Sequence, residues 1–275
     1  MDHRLGRVVR PSPTMIPAEF QIPLLARDRA PMVAFPETES NRNEVSLPTL
    51  PARYQEPWEA PFQQRLTNLL RPGQTILDVG AGRKPTLSPD RRPKDCTYVG
   101  LDISADELAA APVGSYDETW VADVTERVPA LEDRFDIILS WQVLEHVRPL
   151  EAAFTNFYAY LRPGGQFVGQ FSGMYSFFGL ANRVIPHRLT AWLVDRFTER
   201  SSDSVFPAHY HRCRESALRI ILAPWARADI VPRFTGAAYL RSLPPAQWIY
   251  LQYEDWAMRS GHRDLATHYI VEAQR

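Results

Sequence analysis

The stretch Thr75 to Ser88, TILDVGAGRKPTLS, restricts the folds open to this chain more than any other. Thr75-Ile76-Leu77 is a short apolar run with β-branched members, the composition of a buried strand. It breaks abruptly into Asp78-Val79-Gly80-Ala81-Gly82. Two glycines around one small residue let the backbone turn sharply and let a ligand approach its N–H groups. A strand running into such a turn is how open α/β sheets form a nucleotide site, in the crevice beyond the strand's carboxyl end. About 20 residues past the glycines, Tyr98-Val99-Gly100-Leu101-Asp102 is a second apolar strand, ending in a carboxylate. That offset suits an acid that accepts hydrogen bonds from ribose hydroxyls. These two signals alone fit a nicotinamide dehydrogenase as well as any other nucleotide-binding enzyme.

The flanking segments alternate between helix and strand. Pro57 to Leu70 reads as a helix with Phe62, Leu66, Leu69 and Leu70 at three- and four-residue spacing, stopped by Arg71-Pro72-Gly73. After the glycine turn, Pro85, Pro89 and Pro93 leave room for only a stub of helix. Ala105 to Ala111 supplies the next helix, Glu118 to Ala122 a strand ending at Asp123, and Phe135 to Trp141 a buried strand. Leu150 to Leu161 is an amphipathic helix ended by Arg162-Pro163-Gly164-Gly165, and Gln166 to Phe171 is the next strand. Arg214 to Leu222 and Pro245 to Arg259 read as helices, Ala226 to Phe234 and His268 to Glu272 as strands. The pattern predicts an α/β fold, Rossmann-like and doubly wound, on a mostly parallel seven-stranded sheet with right-handed crossovers. Residues 173–213 interrupt it as a helical insertion, with a helix expected at Leu189 to Phe197.

Residues 1–52 carry prolines at 11, 13, 17, 23, 31, 36, 48 and 51, a density that prevents helix. They read as an N-terminal arm, either unstructured or wrapped on the domain surface, with Met15-Ile16 and Leu24-Leu25 as anchors. Tyr54 and Trp58 are placed to help close a ligand cleft. Residues 53–275 are expected to form the α/β domain.

Against 31 basic residues stand 32 acidic ones, a formal net charge of −1. Bulk electrostatic attraction to nucleic acid or an anionic membrane is therefore not indicated. Cys96 and Cys213 form neither a disulfide framework nor a metal-ligand spacing, which suits a reducing cytoplasm. No run of 18 apolar residues exists and no signal-type apolar segment precedes the first prolines, so a soluble cytoplasmic protein is expected.

Five motifs in order resemble the class I S-adenosylmethionine-dependent methyltransferases, in particular the small-molecule subgroup. They are Leu77-Asp78-Val79-Gly80-Ala81-Gly82, Val99-Gly100-Leu101-Asp102, Ala122-Asp123-Val124, Phe135-Asp136-Ile137-Ile138 followed by Leu144-Glu145-His146-Val147, and Leu161-Arg162-Pro163-Gly164-Gly165. The resemblance covers residues 55–172 well and the remainder loosely. Where that family often has a further glycine, this chain has Lys84, followed by Pro85. A dinucleotide fingerprint would need its third glycine at Pro85, which lacks an N–H, and this counts against a dehydrogenase.

The resemblance implies S-adenosyl-L-methionine as cofactor and a role for each matched residue. Asp78 orients the glycine loop and helps hold the cofactor's amino group, or alternatively caps backbone N–H groups. Gly80, Ala81 and Gly82 pass close to methionine and ribose. Asp102 accepts from the ribose hydroxyls, Ile103 packs on adenine, and Asp123 beside Val124 accepts from the adenine amino group. Ser140, Trp141 and Gln142 line the methionine end. His146 is a candidate base, needed only if the acceptor is a hydroxyl.

In the insertion, Tyr175, His187, His209, Tyr210 and His211 are candidates for the acceptor pocket, His209 and His211 also as catalytic residues beside His146, and the aromatic Phe171, Phe177, Phe178 and Trp192 suggest a lid or added core. His209-x-His211 on an extended segment would present both imidazoles on one side, but no third ligand is near and no metal is expected. The expected reaction is methyl transfer to a small-molecule acceptor, an oxygen of a specialised metabolite, sugar or lipid. Two alternatives stay open: an NAD-dependent oxidoreductase, and a non-catalytic cofactor-binding or scaffold protein using the aromatic C-terminal region as an interface.

Overall fold

Strand β2 (Thr75–Val79) is buried on both faces over four of its five residues, the burial expected of a central parallel strand. In the computed structural model, which describes residues 50–176 and 208–275 together with Arg7–Val8, it pairs in parallel with β3 (Thr97–Asp102) and β5 (Phe135–Trp141). Beyond β3 lies β4 (Glu118–Val121), and beyond β5 lies β6 (Leu161–Ser172), both also parallel. β8 (His268–Gln274) runs antiparallel between β6 and β7 (Arg227–Arg233). β1, the two residues Arg7–Val8, pairs antiparallel with β4 at the far edge. The order is therefore β1-β4-β3-β2-β5-β6-β8-β7.

Seven of these strands are those expected from the residue pattern. The eighth comes from the proline-rich arm, which at Arg7–Val8 lies along the sheet edge. The order in which strands are added reverses at β2, with all five central strands kept parallel: β3 and β4 follow on one side, β5 and β6 on the other. Such a switch point opens a crevice at the carboxyl ends of the central strands.

Helices cover both faces. α1 (Ala60–Leu69) begins with Pro61 in its first turn and buries Phe62 and Leu66 against Ile76, Tyr98, Ile137, Val168 and Ile270. α3 (Leu150–Tyr160) buries Phe154, Phe157 and Tyr160 on the opposite face with Ile138, Phe167 and Trp225. α2 (Ala105–Ala109) is short and capped by the Ser104 hydroxyl, which accepts from Glu107 N at 3.2 Å. α4 (Glu215–Ile221) and α5 (Pro244–Arg259) complete the C-terminal part.

Some boundaries differ from the expectation for identifiable reasons. α1 starts at Ala60 instead of Pro57, and α2 stops at Ala109, ahead of Pro112. The stub after the glycine turn is a single 3-10 turn, Pro89–Arg91. β6 begins at Leu161 because Leu161 already pairs with Phe135; the register then shifts, and Arg162 to Gly165 form an irregularity inside the strand. β8 continues to Gln274 because it is paired on both sides. The helix expected at Leu189 to Phe197 lies outside the described residues.

A turn preceding α1, Ala52–Tyr54, is fastened to the C-terminal part by Glu254 and by Arg53, which donates to Phe234 O at 2.9 Å and pairs with Asp255 at 2.8 Å. Glu254 of α5, fully buried, accepts from Gly236 N at 2.7 Å and Thr267 Oγ1 at 3.0 Å, and from the Tyr54 hydroxyl. Arg53 Nη2 adds a contact at 3.4 Å. In Glu254→Gln the amide nitrogen cannot accept from Tyr54, leaving a buried mismatch worth about 1–2 kcal/mol. A denaturant midpoint lowered with an unchanged slope would confirm this, and an unchanged midpoint would refute it.

Candidate active site

The glycine turn leaves β2 in a left-handed conformation that favours glycine. Gly80 has φ +70° and Gly82 has φ +48°, and a Cβ on Gly80 would come 2.2 Å from Val143 Cγ2. Val143 follows β5, so this contact also lays the segment after β5 directly on the turn. Gly80 N donates to Leu101 O at 2.8 Å, which joins the turn to the end of β3.

Asp78 lies beneath the turn, sealed from solvent. Its carboxylate accepts from Thr86 N at 2.7 Å, Thr86 Oγ1 at 2.8 Å and Tyr98 Oη at 2.6 Å. Tyr98 Oη in turn accepts from Leu87 N at 3.0 Å. Burial pushes the Asp78 carboxyl up to about 6, and these donors oppose the rise. Its partners make it the clasp that fastens Thr86 and Leu87, just past the turn, to β2 and β3.

Tyr116, which sequence reasoning missed, also supports the turn, with its ring stacked on Tyr98 at 5.9 Å between centroids. Its hydroxyl donates to Ala81 O at 3.1 Å and Gly82 O at 3.0 Å. The ring covers Gly100, where a Cβ would come 2.8 Å from it. A lone glycine inside the apolar run Tyr98 to Leu101 was the available signal, since glycine in a strand marks a close approach.

Asp102 ends β3 beside the turn and is 9% exposed. Its Oδ2 accepts from Gly82 N and its Oδ1 from Ser104 N, each at 2.9 Å. Burial raises its pKa, partly countered by these amides. Ile103, next in sequence, is an apolar side chain left 58% exposed at the rim. Asp123 follows β4 and caps a turn, with its Oδ1 accepting from Thr125 N and Oγ1 at 2.8 Å. Val124 packs against the core, and its carbonyl accepts from Asn156 Nδ2 at 2.9 Å. Asp102 O accepts from Ala122 N at 3.0 Å, which brings the ends of β3 and β4 together.

The end of β5 supplies the other wall. The Ser140 hydroxyl is buried without a partner among the described residues. Trp141 packs against Phe62 at 4.7 Å and Trp58 at 4.9 Å between ring centroids. Gln142 has φ +55°, uncommon outside glycine, so the chain turns sharply where β5 ends. Leu144–His146 then forms a 3-10 turn.

Glu145, 4% exposed, accepts from Ser172 N at 3.4 Å, while its second oxygen has no partner among the described residues. Burial pushes this carboxyl up to about 7. Nearby, burial pushes His268 down to about 4, so its ring is neutral, with Nε2 at 3.3 Å from Tyr239 Oη. Nothing in the residue pattern of β8 singled out His268.

The segment carrying His209 and His211 is not extended. Tyr210 (φ +49°) and Arg212 (φ +58°) fold it into a turn, so alternation cannot bring the two rings to one side. His209 N and Tyr210 N donate to Glu145 O at 2.9 and 2.8 Å, while His211 Nδ1 lies 3.7 Å from Glu151 Oε2 on α3. His187 lies outside the described residues. Among the described residues no three His, Cys, Asp or Glu side chains gather as a metal site. Nor is any helix there long and apolar enough to cross a membrane.

Glu145 carries a pH signature. Its folded pKa of about 7 exceeds the ordinary 4.5, so between these values the folded state holds a proton that the unfolded chain has lost. Stability therefore falls as pH rises through that window, by about 3 kcal/mol in all. Glu145→Gln should melt like the wild type at pH 5 and at higher temperature at pH 8. Parallel pH–melting curves for the two proteins would contradict the shift.

A cavity of about 520 Å³ lies away from this crevice, lined by Tyr175, Glu215, Arg219, Trp256, His262 and Arg263. Its charges are matched internally: Glu215 accepts from Arg219 at 2.6 Å and from Arg263 at 2.6 Å. The orphaned polar groups gather instead at the strand ends, and that chemistry favours the crevice.

A family model described as "Methyltransferase domain" matches residues 52–219. The chain is 31% identical over 114 residues to a ubiquinone biosynthesis O-methyltransferase of Brucella melitensis, covering 40% of this chain and 46% of that protein. It is 32% identical over 102 residues to phosphoethanolamine N-methyltransferase 3 of Arabidopsis thaliana, covering 35% of this chain and 21% of that protein. The matched part thus spans less than half the length of these curated relatives. An S-adenosylmethionine-dependent methyltransferase structure from Mesorhizobium loti superposes with a TM-score of 0.50 at 20% identity, covering 81% of this chain and 100% of that one. A geranyl diphosphate C-methyltransferase structure from Streptomyces coelicolor A3(2) does so with 0.51 at 15% identity, covering 79% of each chain. At such identities the structural likeness speaks for the fold alone, whereas the family model spans more than half of the sequence. The chain belongs to the methyltransferase domain family, and with it to the class I S-adenosylmethionine-dependent methyltransferases.

Proposed function

We propose that the protein transfers the methyl group of S-adenosylmethionine to an oxygen of a small molecule, a specialised metabolite, sugar or lipid. The observation that carries this reading is the ridge on which Gly80, Gly82 and Asp102 meet, with Gly80 N on Leu101 O and Gly82 N on the Asp102 carboxylate. The residues fit an adenosine. Asp102 keeps lone pairs for ribose hydroxyls, Ile103 offers an exposed apolar surface for adenine, and Asp123 stands at the adjoining strand end. Gly80, Ala81 and Gly82 admit the methionine part at backbone distance, and Ser140, Trp141 and Gln142 face its sulfur end. Asp78 acts from below, through Thr86.

When bound, the cofactor supplies an electrophilic methyl group on a sulfonium. The chain's part is to hold the acceptor oxygen in line with that methyl at about 3 Å, an effect worth up to ~7–11 kcal/mol. The named relatives include both an O- and an N-methyltransferase, so they leave the acceptor atom open. The near-balanced net charge and the buried carboxyl of Glu145 favour a small hydroxyl-bearing acceptor over nucleic acid.

Incubation with methyl-labelled cofactor and a panel of phenols, sugars and hydroxylated lipids should give a labelled ether with at least one of them. Label appearing only on amines would overturn the oxygen assignment. Added NADH should show no energy transfer from the tryptophans. Saturable transfer would revive the oxidoreductase reading.

A further inference from the structure

Three polar side chains at the ends of β5 and β6 are linked in a way the cofactor site does not require. Ser172 Oγ donates to Gln142 Oε1 at 3.3 Å, and Ser172 N donates to Glu145 Oε1 at 3.4 Å. One serine thus holds an amide and a carboxyl side by side. Each has one atom left over: Gln142 Nε2 and Glu145 Oε2 are buried, and neither has a partner among the described residues. Buried polar atoms are paired in folded proteins almost without exception, so an orphan donor and an orphan acceptor on two side chains tied to one serine call for a ligand group that satisfies both. A hydroxyl does so, because it donates one hydrogen bond and accepts others. An ammonium only donates, and it would leave the Gln142 amide unanswered.

We propose that Gln142 and Glu145, aligned by Ser172, are the seat of the acceptor's hydroxyl, with Gln142 Nε2 donating to its oxygen and Glu145 Oε2 taking its proton. This rests on the methyl-transfer reading above and adds to it the chemical class of the acceptor and the group that activates it. The position agrees: Val143, between the two residues, lies on Gly80, so the seat adjoins the turn assigned to the methionine part. The step balances. The acceptor's O–H bond breaks and its proton goes to Glu145 Oε2; an oxygen lone pair forms the new C–O bond; the C–S pair leaves with the sulfur. Positive charge on the sulfonium and negative charge on the carboxylate disappear together.

Electrostatics suit a base that is neither always charged nor always neutral. Burial is the largest influence on Glu145, offset only by hydrogen bonds from Ser172 and from its own backbone. The titratable groups facing it are Tyr210 and Cys213 from the loop before α4 and Tyr239 from the turn after β7, with His146 on its own turn; burial raises the first three as well, so they stay neutral near pH 7. A carboxyl poised near the working pH is efficient as a general base. Its cost in stability is what a buried group kept for chemistry entails.

The test uses the full chain as wild type, Glu145→Gln and Ser172→Ala. Three measurements are made on each: calorimetric binding of S-adenosylhomocysteine, thermal melting at pH 8, and initial rates with labelled cofactor between pH 5.5 and 9. The probes are catechol, 3,4-dihydroxybenzoate, glycerol and phosphoethanolamine. Wild type should methylate a hydroxyl probe, with kcat/KM rising as pH approaches about 7 and then levelling. Glu145→Gln should fall on the order of 100-fold and lose that rise, while it melts no lower and binds S-adenosylhomocysteine unchanged. Ser172→Ala should keep the pH rise at a reduced rate. Three results would overturn the assignment: Glu145→Gln within threefold of wild type with the same pH profile, methylation of phosphoethanolamine alone, or no hydroxyl probe methylated although S-adenosylhomocysteine binds. Failure of the wild type to bind S-adenosylhomocysteine would instead strike the methyl-transfer reading itself.

Discussion

Gly80→Ala should abolish measurable cofactor binding and lower the stability of the domain by about 3–4 kcal/mol. Two costs combine at this position. The backbone has φ +70°, a conformation in which an L side chain crowds the carbonyl. The added methyl would also stand 2.2 Å from Val143 Cγ2 and 2.7 Å from Val143 Cγ1, so one side must move. Movement of Val143 displaces Gln142 and Glu145, while movement of the turn breaks the bond from Gly80 N to Leu101 O and tilts Gly82 away from Asp102. For a domain of this size the loss corresponds to about 6–16 °C in melting temperature. Adding Val143→Ala removes the clash and leaves only the backbone cost, so the double variant should recover part of the stability. Equal melting of the single and double variants would show that the contact with Val143 is not the cause.

Asp102→Ala should weaken S-adenosylhomocysteine binding on the order of 10³-fold. Hydrogen bonds to a charged acceptor contribute about 1.5–3 kcal/mol each, and ribose offers two donors to this carboxylate. The substitution also releases Gly82 N and Ser104 N, so the turn loses its tie to β3 as the ligand loses its partner. Asp102→Asn separates the two effects. One amide oxygen still accepts from a backbone N–H, and the loss should shrink to about tenfold. Equilibrium dialysis with labelled ligand measures all three proteins. Affinity within threefold of wild type in Asp102→Ala would remove the ribose assignment.

How much of this was legible beforehand follows from which forces act locally. β2, β3 and β5 were readable because a parallel strand buried on both faces is a continuous apolar run, and the turn because positive φ selects glycine. The stub at Pro89–Arg91 was readable from proline placement, whereas α2 ends at Ala109, two residues short of the expected Ala111. What escaped was set by partners distant in sequence. Tyr116 under the turn, Ser172 between Gln142 and Glu145, and Glu254 beneath Tyr54 are unremarkable in their own neighbourhoods and acquire roles only when strands adjoin. The extended reading of His209 to His211 failed for a related reason. Two non-glycine residues at positive φ, Tyr210 and Arg212, are held in a turn whose backbone amides bond to Glu145, and nothing in the local composition announces it. Of the Glu145-His146 pair, the histidine drew notice first because imidazole titrates near neutrality. Burial moves the neighbouring carboxyl into the same range, and burial is a property of the fold.

The most direct trial is a crystal structure of the wild-type protein grown with S-adenosylhomocysteine. Ligand density should lie across the ends of β2 and β3, with ribose oxygens within hydrogen-bond distance of Asp102 and the sulfur turned toward Trp141 and Gln142. Density elsewhere, or adenosine on the far side of the sheet from Gly80, would contradict the assignment of this crevice.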